Sequence, residues 1–248
     1  RDPLARRGVA VRRSLPAYGF IPREGFEPEP GGLTVPVGVT HVPARFLSRR
    51  EPSGVVTTLV ENQELLGRDG LYGPPGGEYP DNARRFTFFA RAVFELSREA
   101  ERPPDLIHVH DWHAALIPLF ARLLSGGRPR TVLTIHNLGY QGWFPASELE
   151  HLALSPAARA QAFRMEGLEY HGGINFLKAG IVYGDALTTV SPTYAQEILT
   201  PEFGCGLDGL LRWQIPKLRG ILNGADYDLW DPSRDASLPA TYTADTLE

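Results

Sequence analysis

The stretch Asp105-Leu-Ile-His-Val-His-Asp-Trp-His-Ala-Ala-Leu-Ile-Pro-Leu-Phe-Ala-Arg-Leu-Leu124 decides the fold class. Leu106 to His110 alternates in period two, the pattern of a strand. From Asp111 the period changes: Trp112, Ala115, Leu116, Leu119, Phe120 and Leu123 fall on one helical stripe, and Pro118 should kink it. Gly126-Gly127 stops that helix, and Thr131-Val-Leu-Thr-Ile135 is an apolar run of strand length. A strand, a helix and a second strand running the same way form a βαβ unit. Working outward, Ala186 to Val190 reads as a strand, Ser191-Pro192 as an N-cap and first position of a helix through Leu199, and Leu218 to Leu222 as a last strand. Ile174 to Val182 reads as an apolar helix carrying Lys178, and Ser147 to Tyr170 as helical with breaks. Upstream, Asp81 should cap a helix whose Phe86, Phe89, Ala90, Val93 and Leu96 share one face. Residues 67 to 80 carry turn signals too dense for a regular element and predict a mobile surface loop. Residues 22 to 54, rich in Pro and Gly, predict irregular strands around Leu33 to Val39, with Val55 to Val60 following. Arg1 to Gly8 resembles the last turn of a helix with its Gly C-cap. The alternation predicts an α/β fold, a doubly wound parallel sheet of Rossmann-like type.

Composition sets limits. The 248 residues are 42% hydrophobic, enough for a full core. With 25 basic against 29 acidic residues, the net charge of -4 provides no field for a polyanion, which argues against nucleic acid as partner. The apolar runs fall short of the roughly 20 residues a membrane-spanning helix needs, so no membrane role is expected. Cys205 is the single cysteine, which excludes an internal disulfide and fits a reducing, cytoplasmic setting. No cleavable leader is legible at the start of the sequence.

In open parallel sheets, ligands sit beyond the carboxyl ends of the strands. Three polar clusters follow strands directly: His110-Asp111-Trp112-His113, His136-Asn137 and Asn223-Gly224-Ala225-Asp226. Asp111 is placed to cap its own helix by accepting the N–H of His113 or Ala114. His108, in mid-strand, reads as a hydrogen-bonded core histidine. His136 stands where a neutral imidazole both donates and accepts. Asn137 and Asn223 suit a ring of hydroxyls, although each also suits a turn. Trp112, Tyr140 and Trp143 offer aromatic faces for a sugar or for packing. The histidines 108, 110, 113 and 136 with Asp111 also suggest a metal-dependent hydrolase, but Trp112 occupies the position where a binuclear motif needs Asp. No dinucleotide fingerprint, P-loop or nucleophile elbow is present.

The runs Asp105 to Leu116, Thr134-Ile-His-Asn-Leu-Gly-Tyr-Gln-Gly142, Asn175-Phe-Leu-Lys-Ala-Gly-Ile181 and Leu222-Asn-Gly-Ala-Asp-Tyr-Asp-Leu-Trp230 resemble the bacterial glycogen synthase and plant starch synthase family. Tyr79-Pro-Asp-Asn-Ala-Arg-Arg-Phe86 and Thr189 to Glu197 add to the likeness, which covers nearly the whole chain. The resemblance implies the N-terminal half of a two-domain GT-B glycosyltransferase. It implies retaining transfer of glucose from ADP-glucose to the non-reducing end of an α-1,4-glucan, with ADP-glucose as co-substrate and no other cofactor or metal. Carried over by position, His136 and Asp111 would surround the transferred glucose and Asn223 would contact its hydroxyls. Tyr79, Trp112, His113, Asn137 and Tyr140 would be substrate-binding residues, mostly on the acceptor side. The expected organisation is a catalytic domain over residues 1–231, with residues 232–248 beginning an interdomain connection. The family's first strand, its Lys-x-Gly-Gly-Leu loop and its C-terminal nucleotide-binding domain are not found in this sequence, so the chain is expected to be inactive alone. A cytoplasmic location is expected, or a plastid if the source is a plant. The alternatives are a non-catalytic glucan-binding fragment, the metal hydrolase, and a related transferase with another donor.

Overall fold

A computed structural model describes residues 3–227 and 229–246. The first half runs α1 (Pro3–Arg6), β1 (Arg12–Pro16), β2 (Glu27–Pro28), β3 (Leu33–Val37), β4 (Thr40–Arg50), β5 (Val56–Glu61), α2 (Asn82–Glu99), β6 (Leu106–His110), α3 (Asp111–Ala114), α4 (Leu116–Leu124) and β7 (Arg130–Ile135). The second runs β8 (Trp143–Pro145), α5 (Pro156–Ala162), β9 (Glu169–Tyr170), β10 (Gly173–Asn175), α6 (Phe176–Tyr183), β11 (Ala186–Thr189), α7 (Pro192–Glu197), α8 (Asp208–Trp213) and β12 (Leu218–Gly220). The βαβ unit is present: β6 and β7 pair in parallel, with His108 opposite Val132 and His110 opposite Thr134. They belong to a wholly parallel sheet of order β12-β11-β7-β6. Ser191 caps α7 as expected, its Oγ accepting the Tyr194 N–H at 2.8 Å, with Pro192 in the first turn.

The second sheet departs from the all-parallel expectation. β1 and β5 pair in parallel, but β4 runs antiparallel to β5, β2 and β3. The proline-rich text of residues 22–54 hides an 11-residue strand, β4. Its Val42, Ala44 and Phe46 alternate inward, and Pro43 lies in the part that pairs with β3 alone, where a missing N–H is tolerated. A small antiparallel sheet, β8-β10-β9, lies after β7.

Helix α2 separates two cores. Phe86, Ala90 and Phe94 join the one under the parallel sheet, whereas Phe88, Phe89 and Ala92 join the one under β3 and β4. Asp81 precedes α2 but does not cap it with its side chain; both carboxylate oxygens are taken by Arg68, at 2.7 and 2.6 Å. The helix after β6 breaks at Ala115, not at Pro118. Pro118 then falls in the first turn of α4, where its missing N–H has no helical partner to lose. Gly180 lets α6 press on this break: a Cβ there would lie 2.8 Å from Ala115 Cβ and 2.9 Å from Leu133 Cδ2.

Candidate active site

The rim beyond β6 and β7 is shaped by one unusual residue. β6 ends in extended backbone at His110, and Asp111 then takes φ +54, the left-handed region. Asp is among the few non-Gly residues that visit it. This turn aims the carboxylate away from its own helix. Asp111 Oδ1 accepts the backbone N–H of His136 at 2.8 Å, so the expected capping of α3 is replaced by a bond across the sheet. The other oxygen, Oδ2, has no protein hydrogen bond among the described residues.

The β6–β7 register aligns four side chains on one face. His108 Nε2 meets Thr134 Oγ1 at 2.6 Å and His110 Nδ1 meets His136 Nε2 at 3.0 Å, each bond spanning 26 positions. The His108 and His110 rings stack at 4.4 Å, and Thr134 Oγ1 continues to Thr188 Oγ1 on β11 at 2.6 Å. His108 is thus hydrogen-bonded as expected, but on the outward, open face of β6 and not in the core. The protein atoms crowding these rings penalise their charged forms. That desolvation, with His136 beside it, lowers His108; it pushes His110 down to about 4, with His108 and His136 adding to the effect and Asp111 opposing it. Among the described residues, no group of three or more His, Cys, Asp or Glu is placed to hold a metal ion.

The aromatic residues divide. Trp112 is only 7% exposed and is packed against Tyr72, Phe86, His113, Phe144 and Phe176. A side-chain carbon at Gly142, φ +63, would overlap its indole. Trp112 is accordingly a packing residue; its rings are too enclosed for a sugar to stack on them. His113 packs between Tyr72, at 5.0 Å, and Phe86, at 4.9 Å, and its buried Nε2 has no partner among the described residues. Burial pushes it down to about 4 against the pull of Asp111. Tyr140 is 67% exposed on the rim loop. Asn137 is exposed there too, and its Oδ1 accepts the Gly139 N–H at 2.9 Å, a turn bond. Asn223 is exposed just past β12, on the same carboxyl edge but two strands from β7. The structure thus joins Asp111, His110 and His136 directly and sets Asn223 further along the rim.

Two site neighbours escaped the sequence reading. Tyr72 lies in the loop expected to be mobile, yet its carbonyl accepts from Tyr79 N–H at 2.7 Å and Asn82 Nδ2 at 2.8 Å. Its phenol is raised by burial and then by Asp111 and Tyr140. Arg85, fully buried, fixes the same loop by donating to the Leu65 and Leu71 carbonyls and to Asn82 Oδ1. Tyr79 lies between the Arg68 and Arg85 guanidiniums, 4.6 and 4.7 Å from its ring centre. The Tyr79-to-Phe86 run carried Arg85 in plain view, but a basic residue on a helix ordinarily reads as surface.

The chain is similar to known proteins over nearly its whole length. Residues 2–213 match the model of the starch synthase catalytic domain. The glycogen synthase of Geotalea uraniireducens is 42% identical over 246 residues, 97% of this chain and 50% of that protein. Glycogen synthase 1 of Rhizobium meliloti is 41% identical over 252 residues, 99% of this chain and 51% of that protein. The solved catalytic domain of starch synthase IV from Arabidopsis thaliana, bound to ADP and acarbose, superposes with a TM-score of 0.85 at 30% identity over 98% of this chain and 50% of that one. The chain spans about half the length of the curated relatives it matches. The family model, the relatives and the fold agree, and the chain belongs to the starch synthase catalytic domain family.

Proposed function

We propose that this chain forms the N-terminal half of a retaining glucosyltransferase site. In this reading glucose passes from ADP-glucose to the end of an α-1,4-glucan, and no metal takes part. The observation that carries it is the Asp111 to His136 bond, which fixes a carboxylate and an imidazole together at the carboxyl ends of adjacent strands. Asp111 Oδ2 is open to accept a sugar hydroxyl, and the exposed edge of His136 offers a second polar contact. Acarbose and ADP in the Arabidopsis relative support a glucan and a nucleotide as the ligand classes. Such a transfer separates charge, with the sugar becoming cationic and the diphosphate leaving as an anion. The protein's part is orientation and electrostatic stabilisation. Asn223, Asn137 and Tyr140 are the remaining rim residues for sugar hydroxyls and ring faces.

The rim segments 110–113, 136–143, 190–192 and 221–227 contain no Arg or Lys. A leaving diphosphate would find no cation in these segments, and in this reading the cations that meet it are supplied from elsewhere. Purified chain supplied with radiolabelled ADP-glucose and glycogen is expected to incorporate no glucose above blank. Maltohexaose should still bind saturably in calorimetry, and Asp111→Ala should weaken that binding. Robust incorporation would overturn the half-site reading, and no sugar binding at millimolar concentration would overturn the sugar-site reading.

A further inference from the structure

We propose that His110 is a positioning residue for His136: the single proton between His110 Nδ1 and His136 Nε2 locks the His136 ring in one tautomer and so decides what its outward nitrogen, Nδ1, presents at the rim. A hydrogen bond between two ring nitrogens holds one hydrogen. If His110 donates, His136 Nε2 is an acceptor and Nδ1 carries the hydrogen; if His136 donates, its Nδ1 is left as a bare acceptor. Either way one form of His136 is fixed, and the pair cannot become doubly cationic without placing two N–H groups face to face. The 3.0 Å separation makes this a full bond.

The lock itself is held from behind. His110 is braced on one side by its ring contact with His108, which is tied to Thr134 and through it to Thr188. His136 cannot withdraw because Asp111 grips its backbone N–H. The titratable groups bearing on His110 are His108 on its own strand, Asp111 at the following turn and His136 opposite. Its depressed affinity for a proton keeps it neutral, so that its Nδ1 is able to act either as donor or as acceptor. The part of the inference that concerns sugar rests on the function proposed above, and the lock does not.

The test separates the two. Long-range nitrogen–proton NMR of the whole chain, labelled at histidine, reads the tautomer of His136 directly at pH 7.5. Wild type should give two widely separated ring-nitrogen resonances, one protonated and one bare. His110→Phe keeps a ring against His108 but removes Nδ1, and should collapse the His136 pair toward averaged positions. His110→Asn places an amide where Nδ1 stood and should restore the separation. Averaged resonances in wild type, or an unchanged pattern in His110→Phe, would overturn the inference. Maltohexaose titrations of the same proteins then address the site. His110→Phe should bind about two- to tenfold more weakly, the scale of one ordered hydrogen bond, with recovery in His110→Asn. A lock present with sugar affinity unmoved would uphold the pairing and remove His136 from the sugar site.

Discussion

Acidification should loosen this protein through a histidine that takes no part in the shared-proton bond. His113 is enclosed by Tyr72, Phe86 and Trp112 and has a buried ring nitrogen without a partner. Its proton affinity falls from the ordinary 6.5 to about 4 because water is excluded from the charged form. The folded chain therefore keeps the imidazole neutral while the unfolded chain takes up a proton near pH 6.5. The resulting stability is complete above that pH and drains away as pH falls toward 4. At about 1.4 kcal/mol per pH unit, the loss from this residue reaches about 2–3 kcal/mol between pH 4.5 and pH 4. Urea unfolding of wild type and His113→Phe, each at pH 7, 6, 5 and 4.5, isolates the effect, because His110 and the carboxylates titrate in both proteins. The phenyl variant should match wild type near pH 7 and exceed it by about 2–3 kcal/mol at pH 4.5. Parallel stability curves for the two would refute the claim that the imidazole is held dry.

Other expectations are equally direct. Arg85→Met leaves the Leu65 and Leu71 carbonyls and Asn82 Oδ1 without their donor, and should cost about 2–4 kcal/mol in urea unfolding. Gly180→Ala forces α6 off Ala115 and Leu133, with an expected loss of about 1–3 kcal/mol in the same assay. Asp111→Ala removes the acceptor for the His136 amide; exchange of that amide with deuterium should quicken at least tenfold, while Asp111→Asn, which keeps an oxygen acceptor, should stay close to wild type.

The parallel half of the molecule was legible because its signals are local. The change from period two to helical spacing at Asp111, the double Gly at 126–127 and the Ser191-Pro192 start each act over a few residues. β4 was hidden because Pro43 argues against a strand, and only pairing with β3 and β5 shows why it is tolerated. The site was legible in part: Asp111 and His136 were identified as partners in function, but not as partners in a bond. A helix-capping Asp is the commonest local outcome, and it gave way to a left-handed turn that only the neighbouring strand can reward. The His110 to His136 contact follows from the β6–β7 register, which no single segment contains. Arg85 was missed for the same reason, since its acceptors lie 14 and 20 positions away.

The burial of Trp112 has a practical consequence. The other three tryptophans, Trp143, Trp213 and Trp230, are 51%, 66% and 69% exposed, so iodide or acrylamide should quench their emission and leave a blue-shifted residue from one indole. That indole supports Gly142 and stands directly after Asp111. Its unquenched light is a built-in optical gauge of the crevice, able to report ligand arrival or loosening of the rim without any added label.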